Sequence, residues 1–507
     1  MQIFKKSSQQ AEPTFGFGES LAVLIVILCI LGYLIIFKQQ EPQAPLFIAF
    51  ILLAVYGKLR GFTWDTVMDG MRSGLRAGVD PLVIFLSIGV LIATWIFSGT
   101  IPTIMYFGFK IISVQFFLPT VFIVCTLVGV ACGSSFTTVS TMGIAFIGIG
   151  ATLKINPGLT AGVIVSGAFC GSNISPLSGT TNLAASVGQI SIYEHIRSLL
   201  ITDIPAWAIC VVLYTMLGLN SKQVSLSAVH QMMNGLANGF WISCWALLPV
   251  ALLIILAILQ VPAIPSLGLG SLFAAALGWI HAPATSITAI TKTIMMGYVA
   301  HTNNKTIDAL LSKGGIASML TSLALIVFAL ALGGLLIKFN IINAIIDHLS
   351  GIVKTAGRLT LATAITCIGV NLMVGEHYLA IILPGQSFLP AFDKLGLKRK
   401  YLTRILNDAG AAVNAIVPWS VSGVFIAGAL QINPLKFIPW AFFPFLVTLL
   451  TIIVGFFLKP SKQKAITNSP IVSGLMGEFV ILQLAKIQMG YWFRKESGLV
   501  KQDCDSY

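Results

Sequence analysis

Two carboxylates stand in segments of this chain that are otherwise apolar or neutral. Glu376 lies in GEHYLAI, between two apolar runs, with His377 beside it, and Asp408 lies in NDAGAAVNAIV, ahead of Pro418. An ionisable group at membrane depth is a functional candidate by default. Because burial favours the neutral form, such a group can hold a proton until a cation displaces it. We therefore expect Glu376 and Asp408 to couple the movement of protons and cations.

Simpler roles remain open for these residues. Glu376 is also explained as an interfacial residue at a helix end. Asp408 is also explained as a cap, or as the partner of Arg404 four residues earlier. His377 is more easily explained as a polar partner of Glu376 than as a proton relay.

Hydroxyl and amide side chains are concentrated in the uncharged stretch GSNISPLSGTTNLAAS (171–186), between two apolar runs. In hydrocarbon, a broken helix survives only where protein or a water-filled cavity surrounds it. We interpret this stretch, and NDAGAAVNAIVPWSVSG (407–423), as broken or re-entrant segments rather than polar extramembrane loops. Their breaks are expected at Pro176, Gly179 and Pro418.

Oxygen atoms of these two segments are hard ligands, which suit a sodium ion or a polar solute. The candidate ligands for the cation or substrate are Asn173, Ser175, Ser178, Thr180, Thr181, Asn182, Asn414, Ser420 and Ser422.

Composition identifies lipid as the solvent of this chain. Of its 507 residues, 56% are hydrophobic and only 9% are charged, against roughly 25% in soluble domains. Apolar runs at 20–37, 81–98, 237–259, 316–337 and 436–457, together with shorter ones, predict an all-α polytopic membrane protein of 11–14 helices. The first run lacks a small-residue cleavage site and is expected to remain as a membrane helix.

Basic residues lie in short loops between the apolar runs, although the net charge is +13. This distribution is typical of cytoplasmic loops and argues against nucleic acid as a partner. We therefore expect both termini and the loops at 58–79 and 391–404 to be cytoplasmic, in the plasma membrane of the cell.

An offset of 242 residues relates two halves of the chain. It aligns Gly133 with Gly375, and PLSGT (176–180) with PWSVS (418–422). Such internal repeats are common in transporters, and the matching broken segments point to a site near the membrane midplane.

Loop charge suggests how the halves are oriented. The loop 394–404 carries five basic residues, whereas its counterpart 152–162 carries only Lys154. This asymmetry favours an inverted repeat, although the loops could differ in charge for other reasons. The predicted segments are 1–79 (first helices and a cytoplasmic loop), 80–218 (first repeat), 219–315 (connecting helices and loops), 316–458 (second, inverted repeat) and 459–507 (cytoplasmic tail).

Enzymatic motifs are absent from the sequence: there is no P-loop, no GxSxG and no HExxH, and the eight cysteines show no metal-binding spacing. We therefore expect no cofactor and no catalytic activity. A membrane-embedded protein that does not transport is a remote alternative, because a lone active site needs no duplicated broken segment.

The motifs SPLSGTTNLA (175–184), EHIRSLLITDIPA (194–206), GEHYLAIILPGQSF (375–388) and PWSVSGVFIAG (418–428) resemble the NhaC-type sodium/proton antiporter family. The resemblance covers about residues 80–455. It implies secondary antiport of sodium against protons, and some members exchange malate against lactate. It also implies inverted repeats with paired re-entrant hairpins, and it is compatible with a homodimer.

This chain departs from the family pattern GD-x-x-SPLSDTTNLA at two positions. Ser172 and Gly179 stand where the family usually has acids, whereas Glu376 retains a negative charge where Asp is common. A site with fewer carboxylates binds sodium more weakly unless the substrate supplies the charge. We therefore predict sodium/proton antiport by alternating access, with cation- or proton-coupled transport of an organic anion or amino acid as the alternative.

Overall fold

α-Helices form most of the regular structure of this protein. The computed structural model describes residues 15–111, 114–219, 226–259, 261–302, 304–352 and 355–458, and these contain no β-strand. The predicted tail, 459–507, lies outside the described residues. The all-α fold class predicted from composition is confirmed.

Helices outside the repeated core form an amino-terminal group and a connecting group. The amino-terminal helices are α1 (Phe17–Leu31, continued by a π-helical turn at Gly32–Phe37), α2 (Gln43–Leu59), α3 (Trp64–Ala77), α4 (Val79–Phe97) and α5 (Thr100–Ile111).

The repeated core begins with α6 (Phe117–Cys132), α7 (Ser135–Thr138), a π-turn (Val139–Gly143), α8 (Ile144–Thr152), α9 (Pro157–Ile174), α10 (Gly179–Val187) and α11 (Ile192–Leu219).

The connecting helices are α12 (Leu226–Gly239), α13 (Leu248–Ile258), α14 (Ala263–His281), α15 (Ile287–Met296), α16 (Lys305–Leu311), α17 (Ile316–Lys338) and α18 (Ile341–Ile352).

The second half of the core repeats the first. It comprises α19 (Ala356–Val374), α20 (His377–Lys394), α21 (Arg399–Ile405), a π-turn (Leu406–Ala411), a 3-10 turn (Ala412–Ile416), α22 (Val421–Leu430), α23 (Pro434–Phe437) and α24 (Phe442–Phe456). Helical segments begin at 135, 157, 179 and 192 in the first half and at 377, 399, 421 and 434 in the second, always 242 residues apart. The predicted duplication is therefore present in the helix boundaries, while the opposite membrane orientation of the halves stays a prediction.

A broken helix occupies the same place in each repeat. Pro157–Ile174 meets Gly179–Val187 at 45°, and Arg399–Ile416 meets Val421–Leu430 at 44°. The breaks contain Pro176 and Pro418, which have no backbone N–H to donate to a helix. The two predicted breaks are thus confirmed.

Length and composition identify six single helices that can cross a membrane, and up to 11 spans if each of five bent pairs counts as one. This is the lower end of the predicted 11–14. Large apolar side chains are exposed on the outer faces of these helices, as expected for contact with lipid tails. Examples are Leu127, Val212, Met216, Leu272 and Ile280.

Two predicted apolar runs are wrong as continuous spans. The run 436–457 is divided where Pro434–Trp440 meets Phe442–Phe456 at 52°. The run 237–259 is divided where Gln231–Gly239 meets Cys244–Leu256 at 87°. The backbone N–H of Ser243 is 3.4 Å from the Thr103 hydroxyl, and the Ser243 side chain caps the turn that follows. These polar interactions stabilise a corner that hydropathy cannot reveal.

Glycine is required where the broken helix of each repeat meets a neighbouring helix end. Gly133 and Gly375 follow α6 and α19 with φ of +63° and +72°. A Cβ on Gly133 would lie 2.6 Å from the carbonyl carbon of Leu177, and one on Gly375 would lie 3.3 Å from the Cα of Ser420. These positions thus combine a left-handed conformation with close backbone approach.

We expect Gly133→Ala to lower the apparent melting temperature by about 4 °C, because strain of this kind costs about 2 kcal/mol. Thermal unfolding of detergent-purified protein would measure it. Gly369→Ala is the control, since no atom lies within 4 Å of the added Cβ in the middle of α19. Equal melting temperatures for both variants would contradict the structural role of Gly133.

Candidate functional site

Two fully buried carboxylates, Asp203 and Asp408, share one amide group. The Nδ2 of Asn173 donates to Oδ2 of Asp203 at 2.9 Å and to Oδ1 of Asp408 at 3.2 Å. The hydroxyl of Thr202 donates to Oδ2 of Asp408 at 2.9 Å. We call Asp203, Asp408, Asn173, Thr202 and Asn407 the carboxylate centre.

Elements of both repeats build this centre. The first repeat supplies Asn173 at the end of α9, and one carboxylate on α11. The second supplies Asn407 and Asp408 in the π-turn Leu406–Ala411. The amide of Asn407 donates to the side-chain oxygen of Asn173 at 2.8 Å, and Thr448 of α24 donates to the Asp408 carbonyl. π-Turns often mark functional sites within helices, and here one places a carboxylate at the contact between the repeats.

Several buried polar atoms around this centre have no hydrogen-bond partner. They include Oδ1 of Asp203, Oδ1 of Asn407 and both Nη atoms of Arg404, whose Nε donates to Thr451 at 3.1 Å. Arg404 lies one helical turn before Asp408 and interacts electrostatically with both carboxylates. Among the described residues, however, no ion pair within 4.0 Å joins it to them. The two free oxygens are suitable ligands for a hard cation.

Glu376 lies in a second polar group, at the break between α19 and α20. It is the buried N-cap of α20, where Oε2 accepts from the N–H of Leu379 at 2.9 Å. The Nδ1 of His377 lies 3.5 Å from Oε1 of Glu376, so the two side chains are neighbours, as predicted. No hydrogen bond or ion pair in the described part of the chain connects Glu376 with Asp408. The two predicted coupling residues thus belong to separate groups.

A cavity of about 610 Å³ lies beside the first broken helix. Among the described residues, its lining contains no carboxylate and one imidazole, that of His377. Both positions where the family usually has an acid, Ser172 and Gly179, line it. Asn173 lines it too and so connects the cavity to the carboxylate centre. The other predicted ligands that line it are Ser178, Thr180, Asn182 and Ser422.

The remaining predicted ligands form hydrogen bonds that hold the breaks together. Ser175 donates to the carbonyl of Val130, and Thr181 donates to the carbonyl of Asn173. Ser420 caps α22 by accepting from Gly423. Asn414 donates to Asn371 and to the carbonyl of Gly375, and it accepts from Ser422. These four residues do not line the cavity, and in this conformation their side chains are engaged by the protein itself.

Asp203 is the main residue that the sequence analysis missed. It lies within the motif EHIRSLLITDIPA, which carries part of the family resemblance. A signal was available, because α11 is a 28-residue apolar helix that could span a membrane, and Asp203 lies near its middle. A carboxylate at that depth meets the same criterion that selected Glu376 and Asp408.

A polytopic helical protein with duplicated broken helices and buried carboxylates between its repeats has the architecture of a secondary transporter. A model of the Na+/H+ antiporter family matches residues 173–458. The chain belongs to this family.

Curated relatives span nearly the whole chain. It is 37% identical to the Na(+)/H(+) antiporter NhaC of Bacillus subtilis, covering 87% of this chain and 98% of that protein. It is 35% identical to the protein of the same name from Alkalihalophilus pseudofirmus, covering 90% and 99%. It is 33% identical to the malate-2H(+)/Na(+)-lactate antiporter of Bacillus subtilis, covering 86% and 94%. The resemblance drawn from the motifs is therefore confirmed.

Proposed function

We propose that this protein exchanges sodium ions for protons across a membrane by alternating access, and that the carboxylate centre is where the two cations compete. The observation that carries the proposal is the pair Asp203 and Asp408, buried side by side between the repeats with Asn173 donating to both. Relatives named as sodium/proton antiporters support the same function.

Charge balance explains why the two cations compete. With Arg404 protonated and both aspartates ionised, the centre and its nearby arginine carry one net negative charge. Either one proton or one sodium ion neutralises it, and an uncompensated buried charge is strongly unfavourable. The unpartnered oxygens of Asp203 and Asn407 are available to the sodium ion, while a carboxylate takes the proton. Occupation by one cation therefore displaces the other.

Glu376 has a second role in this scheme. It lies behind His377 at the edge of the cavity, and we assign it to proton coupling rather than to direct sodium ligation. The neutral oxygens of Ser178, Thr180 and Asn182 line the cavity from which a cation reaches Asn173. Ser175, Thr181, Asn414 and Ser420 become ligands only if the breaks rearrange during transport, whereas Ser422 already lines the cavity.

Purified full-length protein in liposomes with a trapped pH dye tests the proposal. Sodium is added outside, without any organic solute. Sodium-dependent alkalinisation of the lumen is the expected result, because sodium entry drives protons out. No pH change, in vesicles that contain folded protein, would contradict sodium/proton exchange.

An organic solute is the second candidate substrate, and the size of the cavity favours it. A cavity of about 610 Å³ is far larger than one sodium ion needs and lies within the range of small-molecule sites. The described residues that line it include no carboxylate, so the carboxylate of an organic anion or amino acid would meet no like charge from them. A relative named as a malate/lactate antiporter supports this class.

We expect Ser172→Asp to lower the sodium concentration for half-maximal exchange about tenfold, because a carboxylate in the cavity wall attracts the cation at short range. Ser172 faces Ser178 with 3.3 Å between hydroxyl oxygens. Sodium titration of exchange in liposomes measures the effect, and Ser172→Asn, which adds no charge, is the control. An unchanged half-maximal concentration in the aspartate variant would place residue 172 outside the cation path.

The remaining assignments concern the cellular setting. We propose a plasma-membrane location with both termini cytoplasmic, and transport rather than catalysis as the activity. The five sequence segments, the inverted orientation of the repeats and a homodimer belong to the same proposal. They are supported by the loop charges, the repeat and the family resemblance.

A further inference from the structure

A buried histidine lies just beneath one surface of the protein. His195 is in the first turn of α11 and is fully buried, although Ser191 and Glu194 beside it are exposed. At the surface above it, Arg399 binds Gln189 and so joins the loop before α11 to the segment containing α21. The Nδ1 of His195 lies 2.9 Å from the Thr403 hydroxyl, while the Nε2 of His195 has no hydrogen-bond partner.

Polar side chains continue from His195 along the face of α11 that packs on α21. Ser198 donates to the carbonyl of Lys400, and Thr403 donates to the same carbonyl. One turn further along α11, about 6 Å by helix geometry, Thr202 donates to Asp408. We call His195, Ser198, Thr202 and Thr403 the polar seam. All four are buried among the helices.

We propose that protons reach the carboxylate centre along the polar seam, separately from the cation, and that His195 holds the proton in transit at its outer end. This inference rests on the proposed antiport function. None of the seam residues lines the cavity, whereas Asn173 lines it and also contacts both carboxylates. The carboxylate centre therefore has two approaches: an open one from the cavity and a closely packed one along the seam.

The packed approach suits protons rather than sodium ions. A proton moves between hydroxyl, imidazole and water by exchange of hydrogen bonds and needs no ion-sized channel. Bridging water molecules can complete the step between Ser198 and Thr202. Histidine has two ring nitrogens, so it can accept a proton on one of them and release a proton from the other. A sodium ion would need several oxygen ligands at every step, and the seam does not offer them.

The charged groups near the seam lie on two elements, α11 and the segment that contains α21. The other helices packed against α11, namely α6, α9, α10 and α24, contain no acidic, basic or histidine residue, and their ionisable side chains are the thiols of Cys125, Cys132 and Cys170. The charged or titratable neighbours are Tyr193, Glu194, Arg197, Asp203, Cys210 and Tyr214 on α11, and Lys398, Arg399, Lys400, Tyr401, Arg404 and Asp408 on the segment packed against it.

His195→Gln tests the proposal in full-length protein reconstituted in liposomes. Glutamine can keep one hydrogen bond to Thr403 but cannot take up a proton near neutral pH. We expect sodium-driven proton movement to slow at least tenfold. The sodium concentration for half-maximal exchange should stay within about twofold of the original value, as should the rise in melting temperature on adding sodium. Thr403→Val, which removes the next hydroxyl with little change in shape, should reproduce the loss.

His281→Gln is the control, because His281 is an exposed histidine stacked on Trp241, away from the seam. Unchanged rates of sodium-driven proton movement in His195→Gln would overturn the proposal. A slower rate accompanied by weaker sodium binding or a lower melting temperature would also overturn it, since that result assigns His195 a structural role. If the unmodified protein moves no protons in response to sodium, the antiport function itself has failed, and that outcome is separate from any variant.

Discussion

Asp408→Asn is expected to slow sodium-dependent proton movement at least 100-fold. The substitution preserves the shape of the side chain and keeps one of the two oxygens that accept from Thr202 and Asn173, but it removes the charge. Arg404 would then balance Asp203 alone, so the centre would no longer need a second cation. Neither sodium nor a proton would then be held by electrostatic attraction, and the expected loss corresponds to about 2.7 kcal/mol or more. Dye-loaded liposomes containing equal amounts of folded protein measure the rate.

Asp69→Asn is the matched control, because it makes the same change in an exposed residue that pairs with Arg72 on the surface. Sodium-induced thermal stabilisation should also disappear in Asp408→Asn, since the site for the ion is lost. A variant that binds sodium and exchanges it at the original rate would remove Asp408 from the mechanism. Asp203→Asn should behave like Asp408→Asn if the two carboxylates act as one centre.

The duplication of the helical core could be predicted from the sequence because the residues that mark it act locally. Gly133 and Gly375 are glycines where the backbone is left-handed, and Pro176 and Pro418 are prolines where the helices break. These residues mark conformations that few other residues adopt, and so they fix where helices end or break. Because the glycines and prolines repeat at an offset of 242 residues, the helix boundaries repeat at the same offset. The apolar run 237–259 was wrongly predicted as a continuous span for the opposite reason, because the corner that divides it depends on a contact between distant residues.

The composition of the candidate site was less predictable, because residue type does not distinguish a ligand from a cap. Ser178 and Ser420 occupy equivalent positions, yet Ser178 lines the cavity and Ser420 caps a helix. The pairing of Asp203 with Asp408 joins residues 205 positions apart and follows from packing of α11 against the second repeat. Sequence periodicity contains no information about that contact. The position of Asp203 near the middle of an apolar stretch could, however, be recognised in the sequence.

The two repeats are equivalent in structure but not in chemistry. The residue 242 positions before Asp408 is Ser166, which is also buried against the last helix of the other repeat. Ser166 accepts from Tyr214 at 2.7 Å and from the N–H of Phe443 at 3.3 Å, whereas Asp408 accepts from Thr202. The duplicated scaffold thus places a carboxylate at one of two equivalent contacts and a neutral hydroxyl at the other. This arrangement predicts one cation-exchange centre in each molecule rather than two.

Glu376→Gln is expected to abolish proton coupling while sodium still binds. Glutamine retains an oxygen that can accept from Leu379, so the cap of α20 is preserved and only the ionisable group is lost. Because the carboxylate centre is intact in this variant, sodium should still raise the melting temperature. The expected result is therefore the loss of sodium-driven alkalinisation with sodium binding retained, which differs from the loss of both in Asp408→Asn.

Two further variants separate the charge of Glu376 from its structural role. Glu376→Ala removes the cap as well as the charge. It should lower the free energy of unfolding by about 1 kcal/mol, and with it the melting temperature, whereas Glu376→Gln should not. Glu41→Gln makes the same substitution at an exposed position and should leave exchange unchanged. Normal proton-coupled exchange in Glu376→Gln would remove Glu376 from the mechanism and leave the carboxylate centre to carry both cations. Loss of exchange together with loss of sodium binding would instead mean that the break at Glu376 and the carboxylate centre operate as one site.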